Sequence, residues 1–200
     1  NTLTHLKLTG IALIAGILVG LPLGIVVFRH RTLARMVVYV AGLLQTVPSI
    51  ALLALMIPLL GIGEKPAIVA LFLYSLLPIL RSTITALVTI DPLLKRIAEA
   101  IGLTRGQQLR HVLVPMALPN ILAGIKTAAI ISIGTATLAA FIGAGGLGEP
   151  IVTGLALSDT NLILQGALPA AGLAIIVELM FERIEKVLVR EHMLEGRLAE

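Results

Sequence analysis

The sequence predicts an all-α membrane protein: five transmembrane helices with one structured polar loop between the third and the fourth. Three observations carry this. Hydrophobic residues make up 58% of the 200 and charged residues only 13%, both well outside the range of soluble domains. Two runs, Leu8–Phe28 and Met36–Gly63, hold 21 and 28 residues without a charge. At about 1.5 Å per residue either run crosses a hydrocarbon core about 30 Å thick. The third observation is the distribution of polar residues. Asp91 to Gly124 is the longest polar interruption of the chain and holds Lys95, Arg96, Arg105 and Arg110.

The spans follow in order. Span 1 covers 8–28. Ala12, Gly16, Gly20 and Gly24 recur every four residues, a small-residue stripe that lets another helix approach closely. Pro22 bends it. The span lacks a basic leader and a small-residue cleavage site, so it reads as a span and not as a signal peptide. Span 2 covers 36–60, with Gln45-Thr46-Val47-Pro48-Ser49 near its middle. A polar patch with a proline at that depth is expected to face protein or a water-filled cavity. Span 3 starts at Pro66 and extends past Arg81 to 88, with Arg81 snorkelling or facing the protein interior. Span 4 covers 123–142 and carries a second ladder, Gly124, Ala128, Ser132, Ala136, Ala140 and Ala144. The glycines of 143–148 form a flexible turn that lets a re-entrant segment pack. Span 5 covers 162–181. Residues 1–190 make one transmembrane domain, and 191–200 a charged tail on the cytoplasmic side. The start at Asn1 and the charged end at Glu200 suit a segment of a longer chain, fused to a binding domain.

The polar stretch has its own punctuation. Asp91-Pro92 reads as an N-cap followed by proline at the first helical position. Leu94, Ile97, Ala98 and Ile101 recur at helical spacing. Gly102 sits where a helix ends. Thr104 and Gln107 have capping-box spacing for a second short helix, which Val114-Pro115 stops. The loop at 91–115 is therefore two short amphipathic helices joined at Gly102-Leu103, a docking surface for a soluble partner. The bland alternative is a basic helix lying on anionic lipid.

Charge fixes the expected orientation. With the loop placed in the cytoplasm, 13 of the 15 Lys and Arg residues fall on that side, and only Lys7 and Lys65 lie outside. The positive-inside rule then puts the N-terminus out and the C-terminus in.

The chemistry is narrowed by what is missing. There is no cysteine, so disulfides and thiolate metal sites are excluded. His5, His30, His111 and His192 are scattered without metal-ligand spacing. The glycines at 143–148 lack the Gly-Lys-Ser/Thr ending of a phosphate loop. No catalytic set, metal site or nucleic-acid surface is expected, and no cofactor in this chain. Few charges lie within the spans, which disfavours a proton-coupled carrier. The energy for transport is therefore expected from another chain, through the cytoplasmic loop.

The stretch from Arg96 to Pro115 resembles the EAA loop of bacterial ABC-importer permeases: Glu-Ala-Ala, three residues, Gly, nine residues, Ile-x-Leu-Pro. Gly102 and Pro115 match with the right spacing. Val112 and Val114 replace Ile and Leu, and Ala98 matches the second alanine. Arg96 stands where Glu is usual, and Ile97 where the first Ala is usual. Leu44–Ser49, Leu76-Leu77-Pro78 and Gly134–Gly148 are similar to the osmoprotectant branch, permeases for glycine betaine, carnitine, choline and related quaternary amines. The Gly-Ala-Gly-Gly-Leu-Gly segment is shared with methionine-type permeases.

The resemblance implies the type I ABC importer permease fold in the bacterial inner membrane. It implies a second permease copy or paralogue, two cytoplasmic ATPase subunits that use ATP and Mg, and an extracytoplasmic substrate-binding protein. The coupling residues it implies are Arg96, Ile97, Ala98, Ile101, Gly102, Val112, Val114 and Pro115, with Ile97, Ala98 and Ile101 as an apolar stripe for a groove on the ATPase and Lys95, Arg96 and Arg105 at its polar rim. The expected path residues are Gln45, Thr46, Ser49, Tyr74, Thr135 and Thr137; helix–helix hydrogen bonding is their duller alternative. A permease for an amino acid such as methionine, or a stand-alone carrier or channel, is the competing reading.

Overall fold

A computed structural model describes residues 1–197, with side-chain surroundings through residue 188. Every regular element among them is helical. Helix α1 is Thr2–Val27, α2 Arg31–Thr46, α3 Ser49–Leu60, α4 Glu64–Val88, α5 Pro92–Ala100, α6 Arg105–Gln108, α7 Val114–Ala136, α8 Gly148–Leu157 and α9 Thr160–Arg197. Four helical segments are long and apolar enough to cross a membrane alone: α1, α4, the run Arg105–Ala136, and Thr160–Leu188. The pair α2 and α3 makes a fifth crossing if taken together.

The small-residue stripe of α1 meets α4 as a four-residue ridge against a four-residue ridge. A Cβ added at Gly20 would lie 3.0 Å from Ile79 Cγ2, and one at Gly24 2.9 Å from Thr83 Cγ2. At Gly16 it would press on Ser75. The pairs 16/75, 20/79 and 24/83 advance together, so α1 and α4 run parallel. Between them the chain must cross once, and α2 with α3 supplies that crossing. On α7, Gly124 lets the helix close onto Ser82 and the Pro78 carbonyl of α4. In the ladder that begins there, Ala128, Ser132 and Ala136 are all fully buried.

The two ends of the bundle are tied separately. At one end Lys7 pairs with Glu64 at 2.6 Å, and the Gly63 amide donates to Ile142 O at 2.9 Å. His5 is fully buried there; its Nε2 lies 3.1 Å from Ile133 O, and its Nδ1 accepts from the Leu147 amide at 3.4 Å. This pattern selects the neutral ring with its proton on Nε2. At the other end a core of Val27, Phe28, Leu87, Leu113 and Ala117 joins α1, α4 and the start of α7, with Phe181 of α9 packed against it.

Four expectations need correction. Span 2 is not one rod: α2 and α3 meet at 96°, because Val47 is extended before Pro48, as the proline ring demands of its predecessor. Val114-Pro115 does not stop the second loop helix. Residues Leu109–Leu113 widen into a π-turn, with the Val114 amide bonded to Leu109 O, and the chain continues into α7. The wider turn gives the Pro115 ring room where an α-turn would set it against a carbonyl. Span 4 consequently starts earlier and ends at Ala136, before the boundary read at 142. A 3₁₀ segment, Leu138–Ile142, follows, so Ala140 and Ala144 leave the helical ladder. Span 5 continues as α9 to Arg197; of the charged tail 191–200, residues 198–200 lie outside the described residues.

The glycine turn after the 3₁₀ segment is closely packed. Gly143, Gly145 and Gly146 have positive φ, and a Cβ on Gly148 would lie 2.8 Å from Thr137 Cα. The turn re-enters the bundle as α8, against α9 and the 3₁₀ segment.

Candidate functional site: a polar cleft and a capped helical hairpin

The hairpin is built from local signals. The Asp91 carboxylate accepts from the Leu93 amide at 2.8 Å and opens α5 with Pro92 behind it. At the other end of α5, Gly102 takes φ +81°. Its amide bonds to Glu99 O at 3.0 Å, and the Leu103 amide to Ala98 O at 3.1 Å. These two bonds are the Schellman closure, with glycine in the left-handed position. Thr104 and Gln107 then bond each other's backbone amides, forming the full capping box. The turn between the two helices is thus determined residue by residue from Ala98 to Gln107.

Two contacts fix the hairpin to the spans. Arg29, just past α1, donates to Arg105 O at 3.1 Å. Lys95 on α5 donates to Leu87 O near the end of α4 at 3.4 Å. Of the expected coupling residues, Arg96, Ile97, Ile101 and Gly102 are exposed. The isoleucines stand 48% and 69% open to their surroundings. Ala98 corrects the expected stripe: at 3% exposure it faces its own chain, leaving Ile97 and Ile101 as the outward apolar pair. Val112, Val114 and Pro115 are half-buried around the π-turn, so they shape the hairpin's return and offer little outward surface.

The cleft is a cavity of about 590 Å³ between α4 and α7, with Gln45 of α2 at its edge. Its polar lining is Arg81, Ser82 and Thr85 from α4, and Asn120 and Thr127 from α7. No acidic side chain among the described residues lines it. Among the expected path residues only Gln45 reaches it, with Nε2 donating to Tyr74 O at 3.0 Å. Tyr74 is buried and donates its hydroxyl to Val47 O, bracing the bend between α2 and α3. Thr46 and Thr137 turn their hydroxyls onto Leu43 O and Gly134 O of their own helices, both at 2.7 Å. Ser49 and Thr135 are half-buried outside the cleft.

The lining residues had a readable signal. Pro78, Arg81, Ser82 and Thr85 follow the spacing i, i+3, i+4, i+7, and Asn120, Ala123, Gly124 and Thr127 repeat it. Each set lies on one helical face.

Comparison with known proteins fits this geometry. Residues 12–190 match the family described as binding-protein-dependent transport system inner membrane component. The osmoprotectant import permease protein OsmW of Salmonella typhimurium is 47% identical, over 94% of this chain and 89% of its own. The choline transport system permease protein OpuBB of Bacillus subtilis is 46% identical, over 94% and 87%. The glycine betaine/carnitine/choline transport system permease protein OpuCB of the same organism is 46% identical, over 91% and 84%. Among solved structures, an inward-facing MetNI methionine ABC transporter superposes with TM-score 0.82 at 26% identity, over 92% of this chain and 93% of that one. The fold is that of type I ABC importer permeases, and the chain belongs to the family of binding-protein-dependent transport system inner membrane components.

Proposed function

We propose that this chain is the permease subunit of an ATP-driven importer for a quaternary-amine osmoprotectant such as glycine betaine, carnitine or choline. The carrying observation is the 46–47% identity, over more than nine tenths of the chain, to permeases named for osmoprotectants and choline. The methionine transporter shares the fold at 26%, which makes a methionine-type substrate the weaker reading. ATP hydrolysis belongs to a separate ATPase subunit. The assembly has two permeases, identical or paralogous, two cytoplasmic ATPases and an extracytoplasmic binding protein. The chain lies in the bacterial inner membrane with its N-terminus out and its C-terminus in.

The division of labour follows from the side chains. A quaternary ammonium is held tightly by stacked aromatic faces. The cleft between α4 and α7 has none in its lining, and Tyr74 is committed to the α2–α3 bend. Tight selection therefore belongs to the binding protein, and the permease supplies a weakly selective polar path. The α5–α6 hairpin is the contact for the ATPase, offering Ile97 and Ile101 to an apolar groove and Arg96 to its rim. The second permease closes the open side of the cleft.

The test is uptake. The chain is expressed with a partner ATPase and binding protein from the same organism, in a strain stripped of its own osmoprotectant uptake. Energy-dependent accumulation of labelled glycine betaine, carnitine or choline is expected. Accumulation of methionine but of none of these amines would transfer the chain to the other branch. Ion-gradient-driven uptake by liposomes holding this chain alone would refute the permease-subunit reading.

A further inference from the structure

The hairpin end of the bundle holds a second cavity that the transport reading leaves unused. It measures about 550 Å³ and lies between the α1–α2 junction and the loop hairpin. Phe28, Leu113 and Gln108 form a buried floor. Among the described residues, Arg29, Arg31, Lys95 and Arg105 stand around it against the single carboxylate of Glu99. Four cations and one anion leave the cleft at +3, without His30. The only ion pair among the described residues, Lys7–Glu64, is at the opposite end, so none of these cations is neutralised by Glu99 at contact distance. Arg29 and Lys95 spend a donor each on Arg105 O and Leu87 O. Among the described residues the side chains of Arg31 and Arg105 donate no hydrogen bond within the protein.

The cavity does not close at its α2 side. An adjoining hollow of about 590 Å³ shares Arg29, His30 and Arg31 and continues along Thr32, Leu33 and Met36. Leu33 and Met36 are 46% and 59% exposed, on the first turns of a helix that belongs to a membrane crossing. A free anion has no use for that apolar extension. An acidic side chain from a soluble protein would have to enter at the level where α1 and α4 leave the apolar layer. A phospholipid has both parts in the right order: phosphate at the span ends, hydrocarbon along the helix.

We propose that this cleft is a binding site for an anionic phospholipid. The phosphate sits among Arg29, Arg31 and Arg105, and an acyl chain runs along Leu33 and Met36. Because Lys95 and Arg105 belong to the hairpin, lipid charge bears directly on the segment proposed to meet the ATPase.

The test uses the full chain purified in detergent, alone and with its ATPase, and counts retained lipids by native mass spectrometry. Dioleoylphosphatidylglycerol is expected to stay bound in preference to dioleoylphosphatidylcholine. Arg31→Gln is expected to weaken phosphatidylglycerol binding about fivefold, the effect of one cation near an anionic surface. Arg110→Gln, an exposed charge on the same hairpin outside the cleft, is expected to stay within about twofold by the same reasoning. Equal losses in both variants would mean diffuse attraction and overturn the site. Displacement of the lipid by millimolar inorganic phosphate would make it a soluble-anion pocket. Release of the lipid on adding the ATPase would make it a protein contact. Equal retention of the two lipids by the unmodified chain would refute it even if Arg31→Gln does not fold.

Discussion

Replacing Gly102 separates backbone conformation from packing more cleanly than any other change in this chain. A Cβ built at Gly102 meets no heavy atom within 4 Å, so no steric clash accompanies a small substitution. The cost comes from φ +81°, a left-handed conformation worth about 1–3 kcal/mol against a non-glycine residue. Asparagine tolerates that region, alanine less, and β-branched valine least. If valine drives residue 102 out of it, the closure bonds to Glu99 O and Ala98 O open together. They lie at an exposed loop, so water replaces them and about 0.5–1.5 kcal/mol is lost per bond. The ratio of capped to open hairpin then falls by about one to two powers of ten. The spans contribute nothing to this loss and should fold as before. The expected order of ATPase stimulation by the loaded binding protein, measured in the reconstituted transporter, is Gly, then Asn, then Ala, then Val, with thermal unfolding of the permease unchanged within a few degrees. Full coupling in Gly102→Val would refute the role assigned to the left-handed turn. A Gly102→Asn variant as poor as Gly102→Val would show that side-chain bulk, and not φ, is being read.

Other perturbations act on named contacts. Gly148→Ala drives a Cβ into the Thr137 backbone; backbone cannot step aside as a flexible side chain can, so loss of folded, detergent-soluble protein is expected, where Gly42→Ala, with open space around its Cβ, should be neutral. Tyr74→Phe removes the hydroxyl that donates to Val47 O and should cost about 1–3 kcal/mol at the part-buried bend, read as a lowered midpoint in detergent melting. Thr104→Ala removes the cap on the Gln107 amide, a loss of about 1 kcal/mol that Thr104→Ser should restore, read by hydrogen exchange at residues 105–107. His5→Leu strands the Ile133 carbonyl and the Leu147 amide in a buried site; a melting loss larger than that of Thr104→Ala is expected, since buried unpaired groups lose water as well as their partner.

The sequence was most legible where a residue's own chemistry determines its backbone. Asp91-Pro92, Gly102 and the Thr104/Gln107 pair each specify a local conformation, and each appears as read. The stripe Gly16, Gly20 and Gly24 announced a close helix approach, although not that α4 is the partner. The misses come from geometry that depends on neighbours. Val114-Pro115 looks like a stop because proline removes a donor, but a π-turn widens the backbone ahead of it and the helix survives. Ala98 has the spacing of an outward stripe, yet an alanine is small enough to lie under the hairpin, and periodicity alone does not distinguish the two faces of a short helix. For Thr46 and Thr137, two of the expected path residues, the sequence does not show that each hydroxyl bonds a carbonyl of its own helix. Arg81 was read only as a charge to be accommodated. Spacing puts Ser82 and Thr85 on its face, but that Asn120 and Thr127 join them emerges only once α4 and α7 are known to face each other.

Helix α4 is where these observations converge. One face packs on the glycines of α1 through Ser75, Ile79 and Thr83, and that contact is tight enough to move as a unit. The adjacent face, Pro78, Arg81, Ser82 and Thr85, lines the cleft. The helix ends at Val88, and Asp91 opens the hairpin three residues later. Lys95 reaches back to Leu87 O and Arg29 holds Arg105 O, so the hairpin is anchored to both α4 and α1. A displacement of the hairpin is therefore carried to the α1–α4 pair as a whole, and the surface it moves is the cleft wall. This arrangement predicts a specific pairing of effects. A disulfide engineered between α1 and α4 on the stripe should leave coupling intact, because those helices already move together. One engineered between α4 and α7 near the Ser82–Gly124 contact should leave it intact as well, because a Cβ on Gly124 would already press into Ser82 and the Pro78 carbonyl. Loss of transport in either crosslinked form would show that α1, α4 and α7 do not move as one body.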